Sequence, residues 1–466
     1  MRRATYLSAV LASMLAVVLA GPCLVRADDA GLFPRPAELE PQVRFWRAIF
    51  AEYSTHQVVL HDALDLNKVY KVLDFQHYLD EGMSEAEVER VQRIETDLEL
   101  ERVRATLLRL HGLGDATGDL SDEERKIHDL YQHDSADDRF LQAAGDKRLR
   151  SQRGLRERFA QGLAIAHHYW PEMERIFRAE GLPTELTRLP LVESCFNVRA
   201  YSKVGAAGIW QFMPSTGRLY MEVNSSVDQR RDPIAATRAA AQFLKGMHEQ
   251  LDTWPLTITA YNHGPAGISR AVREVGTTDI ETVVREYRGN AFGFASRNFY
   301  AEFLAAVEVD KNWKEHFGTL PAASVPTGRE LRLERALGIH VAAKLAGTDA
   351  DTLAELNPAL MSPVTEGRRN IPRGYLLRVP TSAGSFEGRL AELGAEEDAV
   401  RVTTVSRRGG ARPAVLTYRV RSGQSLSHIA KRYNVSVDAL RRSNGLSKVA
   451  RLKPGQVLRI PRDRST

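Results

Sequence analysis

Glu193 is the side chain in this sequence best placed to do chemistry. It follows the apolar stretch 189–192 (LPLV) and lies twelve residues before the glycine-rich stretch 205–214 (GAAGIWQFMP). No other Asp or Glu occurs between Glu193 and Glu222. Burial penalises the charged form of a carboxyl group and raises its pKa. A general acid that works near neutral pH requires such a raised pKa.

Two further segments supply polar and aromatic groups that suit the walls of a cleft around Glu193. They are residues 260–264 (AYNHG) and 297–302 (RNFYAE). Together with the acid, they predict a site of sugar cleavage. The alternative is that Glu193 is a surface or helix-end residue, which is the usual place for a single glutamate in an apolar stretch.

Cys195 lies two residues after Glu193 and raises the alternative of a nucleophilic thiol. No histidine occurs within the motif, and His167, His168 and His263 show no recognisable pairing signature. We therefore expect a buried structural thiol.

The segment from about 150 to 315 must position these groups, and its pattern predicts short helices in a compact α domain. Asp232-Pro233 predicts an N-cap and first helical residue, with the helix running to about Leu251. Gly264-Pro265 predicts the end of the next helix. A last helix is expected from about Arg297 to Asn312.

The preceding segment, from about 41 to 180, is also expected to be mainly helical, with a possible strand at 56–61. The fold class predicted for the whole chain is mainly α, with small α+β modules at the C-terminal end. At 466 residues the chain is long enough for two to four such units.

The first residues resemble an export signal. Arg2 and Arg3 precede an apolar run from Leu7 to Ala20, and Val25-Arg26-Ala27 offers a cleavage site. We expect a signal peptide over 1–27 and an exported protein, with a retained anchor helix as the alternative. Lipid attachment at Cys23 is a third option, which the adjacent Pro22 disfavours.

The net charge of +5 is unevenly distributed. Residues 414–466 contain twelve Lys or Arg and two Asp or Glu, so this segment carries about +10. A basic terminal segment favours an anionic partner. An anionic wall polymer or lipid surface fits an exported protein, and we expect no nucleic-acid partner because no such motif occurs.

An internal repeat is found near the C-terminus. Residues 420–461 contain two helix patterns and then LKPGQVLRIP, and residues 339–380 echo this order and end in IPRGYLLRVP. Each is expected to form a small βααβ module, the earlier copy lacking a clear first strand. Residues 381–413 are expected to be a linker.

These motifs closely resemble the lytic transglycosylases with a goose-lysozyme-like fold, of the membrane-bound lytic murein transglycosylase D type. The resemblance depends on four motifs in order, at 193–194, 205–214, 260–264 and 296–302. It implies a lysozyme-like helical catalytic domain at 151–315, after a mainly helical region at 28–150.

The resemblance also assigns roles to individual residues. Glu193 occupies the catalytic acid position, and His263 stands where the family commonly has Ala. The positions that match substrate-binding residues are Ser202, Gln211, Met213, Tyr261, Asn262, Tyr300 and Glu302.

The basic terminal segment is similar to a LysM domain, which is a peptidoglycan-binding module. This domain is expected at 414–463, with a degenerate copy at 330–380. The positions that match its glycan-binding turns are Gly423, Gln424, Ser425, Leu426, Ser443, Asn444, Gly445 and Leu446.

The activity that the resemblance implies is cleavage of the bond between N-acetylmuramic acid and N-acetylglucosamine, with closure of a 1,6-anhydro ring and no use of water. A hydrolytic muramidase and an inactive wall-binding protein are the alternatives. Peptidoglycan is the expected partner, in the periplasm or cell envelope, with membrane attachment not favoured. No metal and no other cofactor is expected.

Overall fold

The computed structural model of this protein describes most of the chain from residue 29 to residue 460. The described residues are 29–114, 118, 120–384, 386, 388–391, 417–420, 425–433, 435–447, 452–453 and 455–460. The predicted signal peptide at 1–27 and most of the predicted linker at 381–413 lie outside them. The chain divides into two compact units, Met1–Phe386 and Glu387–Thr466.

Helices dominate the described residues, which confirms the mainly α fold class. None of the described helices combines the length and the apolar character needed to cross a membrane.

The first unit begins with helices around a small sheet. Its elements are α1 (Asp29–Leu32), α2 (Glu40–Ala51), β1 (Gln57–Asp62), β2 (Val69–Asp74), α3 (Gln76–Asp80), α4 (Glu85–Leu113), α5 (Asp122–Asp129), α6 (Arg139–Ala143) and β3 (Leu149–Arg153). The antiparallel sheet has the order β2-β1-β3, with Val59 of β1 paired to Val72 and Gln152. The possible strand at 56–61 is confirmed as β1. The sequence analysis predicted neither β2 nor β3. The sequence of β3 (LRSQR) is polar, and this segment forms a strand only through its pairing with β1.

The residues from 156 to 317 form a helical bundle. Its helices are α7 (Arg156–Ala179), α8 (Leu189–Ser194), α9 (Pro214–Gly217), α10 (Pro233–Leu251), α11 (Trp254–His263), α12 (Pro265–Val275), α13 (Ile280–Glu286), α14 (Phe294–Lys311) and α15 (Trp313–Phe317). They surround one large apolar core that includes Leu189, Trp210, Leu256 and Phe303.

The predicted start of α10 and the predicted end of α11 are confirmed. The carboxylate of Asp232 accepts hydrogen bonds from the backbone N–H groups of Ile234 and Ala235, both at 2.9 Å, at the start of α10. Helix α11 ends at Gly264, whose φ of 89° favours glycine. The expected last helix is α14, which begins three residues earlier than predicted.

Helix α2 packs along α14, and thus the N-terminal part supports this bundle. The carboxylate of Glu308 on α14 accepts from Arg35 at 2.5 Å and from Arg47 at 2.9 Å. Phe33 inserts between Phe303 and Trp254, with ring centroids 5.2 and 6.3 Å away. Helix α14 is therefore fixed by contacts with residues that lie more than 200 positions earlier in the chain.

The first unit ends in a small domain, here termed the inner module (329–379). It consists of β4 (Arg329–Arg332), α16 (Ile339–Ala346), α17 (Ala350–Leu356), α18 (Ser362–Thr365) and β5 (Leu376–Val379). Strand β4 pairs antiparallel with β5, with Leu331 opposite Leu377. The expectation that this copy lacks a clear first strand is wrong. Three of the four residues of β4 are charged, so the strand shows no apolar pattern in the sequence.

The second unit contains the terminal module (417–460). It consists of β6 (Thr417–Arg419), α19 (Leu426–Arg432), α20 (Val437–Ser443) and β7 (Val457–Arg459), with β6 antiparallel to β7. This is the predicted βααβ order. Its small core includes Val420, Ile429, Leu440 and Leu458.

Candidate active site

Helix α8 positions Glu193 one residue before the helix ends. Leu189 and Leu191 on this short helix are fully buried, whereas Glu193 remains partly exposed. The chain then turns through Cys195 and Phe196, with φ values of 47° and 53°. Left-handed backbone at two successive non-glycine residues costs roughly 1–2 kcal/mol each, so the surrounding core must hold this turn in place.

Gly162 allows helix α7 to pack closely against the turn at Cys195. A Cβ atom at Gly162 would lie 2.3 Å from the carbonyl oxygen of Cys195. Because such an approach is possible only without a side chain, α7 fixes the end of α8 and with it the position of Glu193.

The environment of Glu193 favours its protonated form. Desolvation by the surrounding protein raises the pKa of its carboxyl group to about 8. Among the described residues, no hydrogen-bond or ion-pair partner of this carboxyl is found. Glu193 is therefore mainly protonated at pH 7, as a proton donor to a leaving group must be.

A second carboxyl group, that of Glu302 on α14, lies near the first. Burial, and then the charge of Glu193, raise the pKa of Glu302 to about 8. Glu302 is also partly exposed. Two neighbouring carboxyl groups resist being ionised together, so the pair carries less than its full negative charge near neutral pH.

Tyr261 on α11 completes this group of three. Its hydroxyl donates to the backbone carbonyl of Trp210 at 2.8 Å, which ties α11 to the glycine-rich stretch. Burial, and then the charge of Glu193, hold the pKa of Tyr261 well above its usual range. Tyr261 thus stays a neutral hydroxyl beside the acid.

Asn262 is oriented by a short chain of hydrogen bonds. The Ser296 hydroxyl donates to Asn262 Oδ1 at 2.9 Å, and His263 Nδ1 lies 3.3 Å from the same hydroxyl. Because the hydroxyl has one proton and gives it to Asn262, Nδ1 of His263 must be the donor to Ser296. Burial lowers the pKa of His263, so the ring is neutral in this role.

The glycine-rich stretch forms a tight loop opposite these helices. Gln211 has a φ of 48°, and its Nε2 donates to the carbonyl of Gly208 at 2.8 Å. The hydroxyl of Ser202 accepts from the backbone N–H of Ala206 at 2.9 Å. Met213 is 40% exposed at the end of the loop. The predicted residues Ser202 and Gln211 therefore shape the loop through their own hydrogen bonds, whereas Met213 presents an open apolar surface.

Two regions of the chain match models of known protein families. Residues 174–284 match the model of the family described as "Transglycosylase SLT domain". Residues 418–461 match that of the LysM domain. The chain contains an SLT domain and a LysM domain.

The chain is also 31% identical over 297 residues to "Membrane-bound lytic murein transglycosylase D" of Escherichia coli K12, and equally to that of E. coli O6:H1. The match covers 61% of this chain and 61% of each relative, so about three fifths of the relatives' length is spanned.

Among solved structures, the lytic transglycosylase Slt of Pseudomonas aeruginosa, an inactive variant, matches with 21% identity and a TM-score of 0.27. The match covers 47% of this chain and 37% of that one. The 70 kDa soluble lytic transglycosylase of E. coli matches with 14% identity and a TM-score of 0.26, over 63% of this chain and 54% of that one.

The SLT domain contains an organising residue that sequence analysis missed. Arg230 is 3% exposed and forms an ion pair with Asp228 at 2.7 Å. Its Nη1 also donates to the carbonyls of Gly205 and Phe212, at 2.8 and 2.9 Å, and so joins the two ends of the glycine-rich loop. A Cβ atom at Gly208 would lie only 1.8 Å from the carbonyl oxygen of Arg230. In the sequence, Arg230 stands among polar and charged residues, which is typical of a surface segment.

The prediction that Tyr300 binds substrate is wrong. Tyr300 is 1% exposed, and its hydroxyl donates to the backbone carbonyl of Pro34 at 2.7 Å. On a helix, residues two positions apart project about 200° from each other. Since Glu302 is on the side of α14 that approaches Glu193, Tyr300 points to the other side and belongs to the core.

Cys195 behaves as a structural thiol. Burial raises its pKa to about 11, so the reactive thiolate is scarce at neutral pH. Among the described residues, no group of three or more His, Cys, Asp or Glu side chains has the arrangement of a metal site.

The predicted glycan-binding positions of the LysM domain divide into two groups. Ser425, Ser443 and Gly445 are exposed, whereas Leu426 is 8% exposed and belongs to the core of the module. Leu446 packs against the same core. Gly423 and Gln424 lie outside the described residues.

Asn444 has a structural role within the terminal module. Its Nδ2 donates to the carbonyls of Leu440 and Arg459 at 2.7 and 2.6 Å, and its Oδ1 accepts from the N–H of Arg459 at 2.5 Å. Both amide protons are therefore used within the module. Leu426 and Asn444 thus both support the fold of the module, and glycan binding at these positions stays a prediction.

Proposed function

We propose that this protein is a lytic transglycosylase that cleaves peptidoglycan between N-acetylmuramic acid and N-acetylglucosamine. The observation that carries the proposal is the protonated, partly exposed carboxyl of Glu193 within an SLT domain. The sequence match to two membrane-bound lytic murein transglycosylases D supports the substrate class.

In the proposed reaction, Glu193 gives its proton to the glycosidic oxygen, and the bond from this oxygen to C1 of the muramyl residue breaks. The acetamido oxygen of that residue stabilises the positive charge at C1. The ionised Glu193 then removes the proton of the C6 hydroxyl, whose oxygen bonds to C1 and closes the 1,6-anhydro ring. The acid is regenerated and no water is consumed, so one carboxyl group serves both steps.

The neighbours of Glu193 suit these steps. Its desolvated surroundings strengthen electrostatic interactions with the developing positive charge. Tyr261 and Asn262 are both held by hydrogen bonds, to the Trp210 carbonyl and from the Ser296 hydroxyl, so each enters the reaction already oriented. We infer that they contact the sugar, together with Gln211 and Met213.

A second candidate function is hydrolysis, and the observation that favours it is Glu302. Glycoside hydrolases usually employ two carboxyl groups, one of which activates water or attacks C1. Glu302 is near enough to interact electrostatically with Glu193. A hydrolytic muramidase would differ from a lytic transglycosylase only in its product.

Mass spectrometry of the products from purified sacculi separates these functions. An anhydro product supports lytic cleavage, and a reducing product about 18 mass units heavier, by one water, supports hydrolysis. Absence of any product, with binding retained, would leave only a wall-binding protein and would refute the proposal.

We further infer that the LysM domain keeps the enzyme on the wall and that the protein works in the periplasm or elsewhere in the cell envelope. Residues 414–466 carry a net charge of about +10, which favours contact with anionic wall polymers. Deletion of 414–466 should reduce sedimentation with sacculi, more strongly at low salt. Unchanged sedimentation would overturn this role.

A further inference from the structure

The inner module is a second copy of the terminal module at the level of individual hydrogen bonds. Asn357 Nδ2 donates to the carbonyl of Arg378 at 2.7 Å, and Asn357 Oδ1 accepts from the Arg378 N–H at 2.8 Å. Asn444 and Arg459 make the same pair of bonds in the terminal module, at 2.6 and 2.5 Å. Each asparagine thus joins the end of the second helix to the last strand.

The turn before the last strand is also shared. Gly374 has a φ of 87° and donates to the carbonyl of Leu333 at 2.7 Å. Gly455 has a φ of 85° and donates to Val420 at the same distance. The two asparagines are 87 positions apart, but the two glycines are only 81 apart. The inner module therefore has six extra residues between its second helix and its last strand.

This longer connection attaches the inner module to the SLT domain. It forms an antiparallel bridge through the pairs Ser226–Met361, Val227–Leu360 and Asp228–Ala359. The N–H of Asp228 donates to Ala359 at 2.8 Å, and the N–H of Met361 donates to Ser226 at 3.0 Å. Val227 and Leu360 are 0% and 2% exposed. The contact is buried.

The same end of the terminal module is open. Ser443 and Gly445 are exposed there. By the asparagine alignment, the counterparts of Ser443 and Gly445 are Leu356, which is 4% exposed, and Pro358, which is partly exposed. These positions are exposed in the terminal module, whereas in the inner module they adjoin the buried bridge to the SLT domain.

The attachment leads directly to the glycine-rich loop. Asp228, whose N–H is held by the inner module, is the ion-pair partner of Arg230, and Arg230 bonds the two ends of the loop at Gly205 and Phe212. A second link joins Arg378 of β5 to the Asp232 carboxylate at 3.5 Å, at the start of α10.

We infer that the inner module is an internal brace that positions the glycine-rich loop through Asp228 and Arg230, and that it is not a second glycan anchor. The inference rests on the proposed function only in assigning the loop to the sugar site. The degenerate LysM-like copy predicted at 330–380 thus has a positioning role in this inference.

The test uses the full chain with Leu360→Asp, which places a charge in the buried bridge. The matched control is Leu376→Asp, because Leu376 lies on β5 of the same module and is 42% exposed. Hydrogen exchange at the amides of Ala207, Gly208 and Gln211 should become at least about tenfold faster in Leu360→Asp, and should be unchanged in the control. This readout requires no activity.

Cleavage of sacculi should fall several-fold in the Leu360→Asp variant, while its sedimentation with sacculi should equal that of the wild type. If exchange at 226–228 accelerates but the loop amides keep their protection, the brace is refuted. If sedimentation falls as far as in the 414–466 deletion, the module is a glycan anchor. Should the bridge persist in the single variant, adding Arg369→Ala removes the further hydrogen bonds to the Ser225 and Ser226 hydroxyls.

These outcomes are separable from failure of the proposed function. A wild-type protein without lytic products would refute the proposed activity, whereas the exchange data would still decide whether the inner module holds the loop.

Discussion

The carboxyl groups of Glu193 and Glu302 interact across the candidate site, although 109 positions separate them in the sequence. Burial raises the pKa of Glu193 to about 8, and burial together with the charge of Glu193 raises that of Glu302 to about 8. Lytic cleavage requires the pair to hold a proton at the start of the reaction. Desolvation and like-charge repulsion both favour that state.

The first prediction concerns the acid itself. Glu193→Gln should abolish product formation from sacculi, because in the proposed reaction this carboxyl gives its proton to the glycosidic oxygen and then takes the proton of the C6 hydroxyl. The fold should persist. The control is Glu249→Gln, at an exposed position of α10, which should cleave like the wild type. Substantial activity in Glu193→Gln would remove the acid from the mechanism.

The same substitution should increase stability at alkaline pH. A carboxyl with a pKa near 8 in the folded state, against 4.5 when exposed, contributes stability below pH 4.5 that is lost as pH rises to 8. Glu193→Gln avoids this loss. Its Tm should match that of the wild type at pH 4 and exceed it at pH 8. The corresponding gain in unfolding free energy at pH 8 is on the order of 2–4 kcal/mol. Equal Tm values at pH 8 would show that Glu193 is well solvated.

The pH dependence of catalysis gives the third prediction. With Glu193 as the acid, kcat/KM should fall as pH rises through about 8, because the proton donor is lost. In Glu302→Gln this descending limb should move to lower pH, since removal of a like charge makes Glu193 easier to ionise. A limb that does not move would mean that Glu302 carries no charge when Glu193 ionises.

Two tyrosines offer a matched pair of variants for the fourth prediction. Tyr300→Phe removes a hydrogen bond to Pro34 in the core and should cost about 1 kcal/mol of stability, with kcat/KM close to wild type. Tyr261→Phe removes the bond to Trp210 beside the acid and should lower kcat/KM by a larger factor than Tyr300→Phe. The reverse order of the two effects would restore Tyr300 to the substrate site.

The buried ion pair supplies the fifth prediction. Arg230→Met leaves the Asp228 carboxylate buried without its partner and should reduce the unfolding free energy by about 3–5 kcal/mol. Urea unfolding measures this, with the exposed Arg218→Met as control. A loss no greater than that of the control would show that Arg230 does not organise the loop.

The sequence by itself determined the features that depend on neighbouring residues. An N-cap followed by proline predicted the start of α10 at Asp232-Pro233, and a Gly-Pro pair predicted the end of α11. The position of Glu193 after an apolar stretch predicted its raised pKa. The repeat at the C-terminus predicted the βααβ terminal module. Each signal lies within a few residues of its effect, because caps, turns and helical periodicity act locally.

Tertiary structure alone decided which side chains meet. Tyr300 and Glu302 are equally plausible wall residues in the sequence, and only the packing of α2 against α14 directs one to Pro34 and the other towards Glu193. The sequence around Arg230 is typical of a surface segment, whereas in the structure its guanidinium is buried and donates to backbone carbonyl groups. The local sequence likewise predicts neither the charged strand β4 nor the attachment of the inner module to the SLT domain. All of these depend on contacts between residues far apart in the chain, whose geometry is set by the whole packed core.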